Sequence, residues 1–567
     1  MANSKEIKWQ TYKNNGVYVP DDYQSQGYII EGAENKLVVE NMLWDLSMYL
    51  DTDKIKDKRL IKNFNADLKF YGKTNKTIDD FMPILKGMKI QRDKAKVDKA
   101  NRSKEQKAKD KEAAEKIKNE LKEKYGYAVI DGVEMELTAY MTEGSRVFMG
   151  RGSHPKFGCW LPKVQPEEIT INTSDPDNPP PAPKGHHWGA VVCNPNTFMA
   201  WWYDLDKVNE KKFATVGQGS EQGMENNKEK FDIVRNLASN WDMVGKAIDK
   251  TLKEATDETE IQIGIVAYLI RNLGIRMGND QRSKSSEFAT NVVGASTLRK
   301  NNIIWNKDGS VRFHFLGKDS VEYDNTFNLD PAFKELLLVR WNAAEGDGTK
   351  KWDDMKGDGS VFPKAKSTLI NDYFGKILPG LTAKKFRTAY GSALLSKAFR
   401  ELKIRENEPI ASIKVKMDQA QLIVAEKLNH KRTVTQKQKD SYKTQMEKFD
   451  ATKSETKKKL EELTEKWHKE TDKDKKAKLN ERRTKLQDKL ELLEAKKTLK
   501  KGSSSSAAST SKSNYSDPRV ITSFCAEYGI DIKKIYTNAL RKKFSWAIEE
   551  KPKNQDKTFY KNYPTVD

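Results

Sequence analysis

Ser513-Asn514-Tyr515-Ser516-Asp517-Pro518-Arg519 is the stretch on which the reading of this chain turns. It sets one tyrosine in a polar segment shortly after the serine run Ser503 to Ser506. A phenol has an ordinary pKa of about 10 and is mostly protonated at neutral pH. Tyr515 therefore attacks phosphorus only where nearby cations stabilise both the phenolate and the reacting phosphate. The simpler reading of these seven residues is a surface tyrosine beside an Asp-Pro turn, and short motifs often misfire. The decision rests on whether the rest of the chain supplies the cations.

Immediately upstream, Gln436 to Lys500 carries 21 Lys/Arg against 14 Asp/Glu. Met446, Phe449, Leu460, Leu463 and Trp467 recur at three- and four-residue steps within clusters, and Leu479, Leu486, Leu490 and Leu493 resume the pattern after Thr471-Asp472-Lys473-Asp474. Two short seams with a turn between them predict an antiparallel coiled-coil hairpin projecting from the body. Gly502 to Ser506 reads as a flexible tether, and Ser503 to Ser513 as a loose approach to the tyrosine. The tail beyond it, with Phe524, Tyr528, Ile535, Phe544 and Trp546, is amphipathic enough to dock as a small helical domain.

Further back lie the cations. Ala420 to Arg432 reads as a helix ending at Asn429-His430-Lys431-Arg432. Leu381-Thr382-Ala383-Lys384-Lys385-Phe386-Arg387 opens another, capped by Thr382. Its Lys384, Lys385 and Arg387 oppose the helix dipole unless an anion sits there. Ile303 to Trp305, Val311 to Leu316 and Val321 to Tyr323 alternate around an Asp308-Gly309 turn and predict a three-stranded meander with Lys318 at its second turn. Ile261 to Met277 is apolar nearly all round and predicts a buried helix stopped by Gly278 and Asn279, with Arg276 in its last turn. Each cation also has a plainer role, as a helix-end charge worth under about 1 kcal/mol or as a solubilising turn residue.

The N-terminal part is less informative. Residues up to about 85 read as a small α+β lobe, Lys89 to Lys124 as one charged helix that buries little, and Tyr127 to Gly132 as a strand and turn. In Gly150-Arg151-Gly152-Ser153-His154-Pro155-Lys156 the glycines flanking Arg151 allow close approach of backbone to a phosphate or base.

Composition sets the outer bounds. A chain of 567 residues has room for three or four domains. The 103 basic against 82 acidic residues give +21, which points to a polyanion, most simply nucleic acid. Cys159, Cys193 and Cys525 form no paired motif, which fits a reducing compartment and gives no cysteine metal site. The N-terminus has no apolar signal core, and no run approaches the roughly 20 apolar residues of a membrane span. A soluble intracellular protein is expected.

Taken together, Arg276, Lys318, Arg387, His430 and Tyr515 are two guanidiniums, an ammonium, an imidazole and a phenol. The set resembles the type IB, eukaryotic-type DNA topoisomerase I family. The resemblance runs through Arg151-Gly-Ser-His-Pro-Lys156, Pro166-Glu-Glu-Ile169, Ile275-Arg-Met-Gly-Asn279, Phe315-Leu-Gly-Lys-Asp-Ser320, Leu381 to Thr388, Leu428-Asn-His430 and Ser511 to Arg519, in that order. It implies an α+β multidomain fold: a bilobed clamp with a mixed α/β cap (1–226, two subdomains), a mostly helical, tyrosine recombinase-like catalytic lobe (227–435), an antiparallel coiled-coil linker (436–502) and a small helical C-terminal domain (503–567).

By the same resemblance Tyr515 attacks the scissile phosphate to form a 3′-phosphotyrosine, and strands rotate before religation, without ATP or an obligatory metal. Arg276, Arg387 and His430 would stabilise the phosphate oxygens and Lys318 would protonate the leaving oxygen. Arg151, Lys156, Asp319, Lys384 and Asn514 would contact DNA. The implied partner is double-stranded DNA, with no cofactor, membrane or small-molecule substrate. The protein would act as a monomer, nuclear in a eukaryotic source, with a viral or archaeal origin open. Met149 stands where the family often has arginine, and the long charged N-terminal tail of many relatives is not seen, which weakens any inference of nuclear import. The alternative is a tyrosine recombinase. Lys384, three before Arg387, where those enzymes usually have histidine, and the 85 residues from His430 to Tyr515 favour the topoisomerase.

Overall fold

A computed structural model describes residues 8–150, 156–197, 201–203, 211–213, 215–217, 219–278, 292–318, 321–349, 359–406, 408–431, 434, 436–504, 506–550 and 556–563. Arg151 and Asp319 lie outside the described residues, as does Asn279. Two compact units divide the described residues, one up to Gly223 and one from Met224 onward. None of the described helices is long and apolar enough to cross a membrane.

The first unit begins with β1 (Tyr12–Asn14), α1 (Lys36–Ser47) and α2 (Lys58–Tyr71). Val39, Met42, Leu43 and Leu46 on α1 and Leu60, Phe64 and Leu68 on α2 recur at three- and four-residue steps, and all are buried in one cluster. The single charged helix expected from Lys89 to Lys124 is instead two, α3 (Met82–Asn101) and α4 (Lys104–Tyr125). Ser103 accepts from the Gln106 N–H while the Gln106 side chain accepts from the Ser103 N–H. That reciprocal cap starts a new helix and satisfies two donors that continuation would have satisfied otherwise. No residue of α4 is buried.

Among the described residues, ten strands of this unit form three sheets. The strands after α4 are β2 (Tyr127–Ile130), β3 (Val133–Thr138), β4 (Arg146–Val147), β5 (Trp160–Leu161), β6 (Thr170–Asn172), β7 (Ala190–Val192), β8 (Trp201–Tyr203), β9 (Lys211–Phe213) and β10 (Thr215–Val216). The orders are β1-β2-β3-β10, β4-β5 and β7-β6-β8-β9. A second buried cluster, with Trp9, Tyr12, Ile130, Leu137, Ile169 and Ile171, backs the two four-stranded sheets, whereas Val147 of β4 and Trp160 of β5 belong to the α1–α2 cluster.

The second unit opens with α5 (Glu221–Ser239), α6 (Trp241–Glu254) and α7 (Glu258–Leu273). Asp257 caps α7 by accepting from Thr259 and Glu260. This helix ends earlier than expected. Gly274 takes φ +62°, a left-handed turn that glycine adopts without strain and that closes the helix. The next residues run on to pair elsewhere, with Ala295 N–H donating to the Arg276 carbonyl at 2.7 Å and Ser296 N–H to that of Met277 at 2.7 Å. Arg276 therefore sits on the segment after α7 rather than in its last turn.

The meander follows as β11 (Ile303–Trp305), β12 (Val311–Gly317) and β13 (Val321–Phe327), in sheet order β11-β12-β13. Then come α8 (Pro331–Ala343), α9 (Ser367–Ile377), α10 (Ala383–Glu401) and α11 (Ile410–Lys427). Thr382 occupies the α10 cap position but makes no side-chain cap bond. α10 is buried almost all round from Phe386 to Ser396 and forms the axis of the unit's core. α11 starts ten residues before the expected Ala420, because Ile413, Val415 and Met417 are already buried along it.

Two long helices, α12 (Gln436–Lys469) and α13 (Lys473–Ser503), run antiparallel, joined by a turn in which Asp472 caps α13. Lys453 pairs with Glu494, Lys497 with Asp450, and Arg483 Nε donates to Thr464 Oγ1 at 3.1 Å. Among their described residues only Thr456 is buried, so charged pairs rather than a deep apolar seam line the contact. The C-terminal half of α13 lies along α11, with Gln419 Nε2 donating to the Ala495 carbonyl at 3.1 Å and Arg405 pairing with Asp488 at 3.0 Å.

The expected flexible tether is not there. α13 continues to Ser503, Ser506 is buried and bridged to Lys431, and Ala507 N–H donates to the His430 carbonyl at 2.8 Å. A serine run is loose only while its backbone lacks partners, and the His430 turn supplies them. α14 (Ala508–Asn514) follows at once, then α15 (Pro518–Glu527), α16 (Asn538–Lys543) and α17 (Ser545–Glu549).

Candidate active site

Tyr515 ends α14, its N–H donating to the Ser511 carbonyl at 2.9 Å, and only 7% of its surface is exposed. It reaches the core because α10 is small where the two meet. A Cβ on Gly391 would stand 2.5 Å from the Tyr515 carbonyl oxygen, so no other residue fits there without backbone movement. Ser392 Oγ accepts from the Asp517 N–H at 3.0 Å, pinning the chain on the far side of the tyrosine.

Asp517 is the anchor. It is fully buried, caps α15 through the Arg519 N–H at 3.0 Å, pairs with Arg235 at 2.7 Å and Arg519 at 3.2 Å, and accepts from the Tyr560 hydroxyl at 2.9 Å. Burial alone would raise its carboxyl, but Arg235 and Arg519 outweigh that and hold it below the usual carboxylate range. Asp517→Ala is expected to cost about 3–5 kcal/mol in urea denaturation, because it removes the buried carboxylate that two guanidiniums share and leaves Arg235 with Asp556 and Arg519 with Asp232 alone. The depressed native pKa makes this contribution complete above the unfolded value of about 3.9 and lost as pH falls through the native one. A cost under about 1 kcal/mol would mean the network relaxes into solvent.

Three cations or polar rings converge on the phenol from other elements. Arg276 Nη1 points at the Tyr515 hydroxyl from 3.4 Å. Arg387, on α10, is buried with its guanidinium carbon 5.9 Å from the Tyr515 ring centre. It donates from Nη1 to the Gly274 carbonyl at 2.8 Å and from Nη2 to that of Leu428 at 2.7 Å. These carbonyls terminate α7 and α11, where a cation is favoured, and its Nε has no partner among the described residues. Burial, then Arg276, draws its pKa down to about 10.

His430 completes the ring. Asn429 takes φ +53°, which asparagine tolerates, and so turns the chain out of α11. The imidazole centre is 4.9 Å from that of Tyr515, Nδ1 lies 2.7 Å from Ser511 Oγ, and Nε2 is buried without a partner among the described residues. Burial, with Arg387 and Arg276, pushes its pKa down to about 3, so the ring is neutral. Burial would raise the Tyr515 phenol, yet Arg276, Arg387 and Lys384 outweigh it and bring it below its ordinary value.

Lys318 stands apart. It is the exposed residue after β12 and has no hydrogen bond or ion pair with the other four among the described residues. Its hairpin is nevertheless fastened to the site: Asn429 Nδ2 donates to the Glu322 carbonyl at 2.9 Å, and Tyr323, whose hydroxyl burial raises to about 12, feels the Arg387 charge. Lys384 is exposed, and Lys156 is a half-buried turn residue of the first unit.

Two lysines escaped the sequence reading. Lys543 donates to the Ser513 carbonyl at 2.7 Å and to Asn514 Oδ1 at 3.3 Å, and Lys230 to the Asn514 carbonyl at 3.2 Å. Burial, then Lys543 and Lys384, lowers Lys230 to about 7, and burial, then Lys384, lowers Lys543 to about 8. Nothing local marks either residue. Ser511 was also missed, although its place four residues before Tyr515 puts it on the same helical face.

Fold and site thus define a helical protein with a buried tyrosine ringed by guanidiniums and an imidazole. Residues 219–467 match the family model described as eukaryotic DNA topoisomerase I, catalytic core. Residues 7–215 match its DNA binding fragment and 487–556 the C-terminal topoisomerase domain. The chain belongs to the eukaryotic DNA topoisomerase I family. It is similar to DNA topoisomerase 1 alpha of Arabidopsis thaliana, 30% identical over 574 residues that cover 96% of this chain and 59% of that protein. DNA topoisomerase 1 beta of the same plant is 29% identical over 578 residues, with the same coverage. DNA topoisomerase 1 of Candidozyma auris is 27% identical over 654 residues, covering 96% and 83%. The chain therefore spans about three fifths of the length of the Arabidopsis relatives.

Proposed function

We propose that the chain is a type IB DNA topoisomerase that relaxes supercoiled duplex DNA. The observation that carries this reading is the buried Tyr515 phenol, with Arg276 Nη1 3.4 Å from its oxygen and with Arg387 and His430 beside it, whose Nε and Nε2 have no partner among the described residues. The Tyr515 hydroxyl, whose pKa the neighbouring cations lower, releases its proton to water as its oxygen attacks the scissile phosphorus, a 3′-phosphotyrosyl ester forms, and the bond to the 5′ oxygen breaks. Arg276, Arg387 and the neutral His430 donate to the non-bridging oxygens as charge builds there, and one preorganised donor is worth about 3–4 kcal/mol. Lys318 protonates the departing 5′ oxygen once DNA draws its hairpin turn inward. The free strand rotates, the 5′ hydroxyl reattacks, and the ester has conserved the bond energy. In this scheme the chain itself supplies every charge that meets the phosphate.

Residues 1–226 would serve as the DNA-binding cap, with Arg151 and Lys156 as contacts, and Asp319, next to Lys318 in the core, would be a further contact. Residues 227–435 would be the catalytic core, 436–502 the coiled-coil linker and 503–567 the tyrosine-bearing domain, whose Asn514, with Lys384, meets the backbone. The partner is double-stranded DNA, met by a monomer in a DNA-containing compartment, the nucleus in a eukaryotic source. The test is plasmid relaxation with excess EDTA and no nucleotide. Complete relaxation of both positive and negative supercoils is expected, whereas a strict need for a metal, ATP or a specific recombination site would overturn the reading.

A further inference from the structure

We propose that Ser511 is a positioning residue that fixes the tautomer of His430, so that the imidazole meets a phosphate oxygen as a hydrogen-bond donor. The inference rests on the reading of the site given above and adds to it the element that orients one of its groups.

His430 Nδ1 and Ser511 Oγ are 2.7 Å apart, Ser511 is fully buried, and its hydroxyl has no other partner among the described residues. Nε2 is buried with none. Two arrangements fit that geometry. If Nδ1 carries the proton and donates to Ser511, the serine hydroxyl hydrogen has no acceptor and Nε2 presents a bare lone pair, which leaves two buried groups unsatisfied. If Ser511 donates to Nδ1, the hydroxyl is used and only the Nε2–H is left. The second arrangement is favoured, since it leaves one buried polar group unsatisfied rather than two.

It is also the arrangement with chemical use. A bare Nε2 would face a non-bridging phosphate oxygen lone pair to lone pair, whereas Nε2–H donates to it. Protonating the ring would provide the same donor, but burial and the two neighbouring guanidiniums keep the ring neutral, so tautomer alone decides. The serine is itself held in place. Lys512, its neighbour on α14, pairs with Asp418 of α11 at 3.1 Å, and Ala507 N–H donates to the His430 carbonyl at 2.8 Å. The Ser511 carbonyl accepts from the Tyr515 N–H at 2.9 Å, so one residue sets the orientation of the imidazole and the end of the helix that carries the phenol.

The experiment labels the six histidines of the full chain with nitrogen-15 and reads the ring nitrogens by NMR without DNA, using His430→Gln to identify the His430 signals. An Nε2–H tautomer is expected in the unmodified chain, and an Nδ1–H tautomer would overturn the proposal without any variant being needed. In Ser511→Ala the Nδ1–H form should appear and single-turnover cleavage should fall about tenfold or more at unchanged duplex affinity, as expected when a general group is held in the wrong tautomer. Ser511→Thr, which keeps the hydroxyl, should hold the Nε2–H signal and restore most of the cleavage rate. Cleavage by Ser511→Ala at the unmodified rate would overturn it. If the unmodified chain cleaves no DNA, the proposed function falls while the ring-nitrogen spectrum still decides this inference on its own.

Discussion

Tyr515→Phe is expected to bind duplex DNA within about twofold of the unmodified chain while losing relaxation and covalent attachment altogether. The ring is what the core holds: it is 7% exposed, lies 4.9 Å from the His430 ring and backs onto Gly391. Among the described residues the hydroxyl's one hydrogen-bond approach is to Arg276 at 3.4 Å, at the limit of a hydrogen bond, so its loss costs at most about 1 kcal/mol of stability. What disappears is the oxygen proposed to form the ester. Detergent trapping on a nicked or single-stranded substrate followed by electrophoresis checks it, and any adduct from the variant would move the nucleophile elsewhere.

Arg387→Lys carries the second large effect, and Arg276→Lys separates its parts. The Arg387 fork spans the last carbonyls of α7 and α11 at 2.8 and 2.7 Å with a third donor left over. An ammonium reaches one of these carbonyls and leaves the other buried without a donor. Arg387→Lys should therefore lose about 10²–10³-fold in single-turnover cleavage and about 1–3 kcal/mol in urea denaturation. Arg276 is half-buried, and its one contact to the other site residues is the 3.4 Å approach to Tyr515. Arg276→Lys should lose a similar factor in cleavage with denaturation unchanged to within about 0.5 kcal/mol. Near-normal cleavage by Arg276→Lys would remove that residue from the site, and unchanged stability in Arg387→Lys would mean that its carbonyl bonds are made good by water.

Much of the site was legible because its residues sit at signalled places: Arg276 after a long apolar run, Arg387 near a helix start, His430 at a helix end, Tyr515 before Asp-Pro. Element ends were read less well where two signals competed. Gly274 and Gly278 are equally good stops for α7, and the choice is made by Arg387, which holds the Gly274 carbonyl from 113 residues away. The serine run reads as loose by composition, yet its backbone is paired with the His430 turn, a partner no local window contains. Lys230 meets the Asn514 carbonyl across 284 residues, and such long-range contacts leave no mark in either segment. The break at Ser103 was different, since its capping box stands in the sequence and was there to be read.

The most direct test of the account is to let the full chain react, in EDTA, with a duplex carrying a break a few nucleotides downstream of the cleavage site, and to sequence the trapped adduct by mass spectrometry. The predicted result is a single modified peptide in which Tyr515 is joined to the 3′ phosphate of the cleaved strand. An adduct on another residue, a 5′ linkage, or no adduct from a chain that binds the duplex would contradict it.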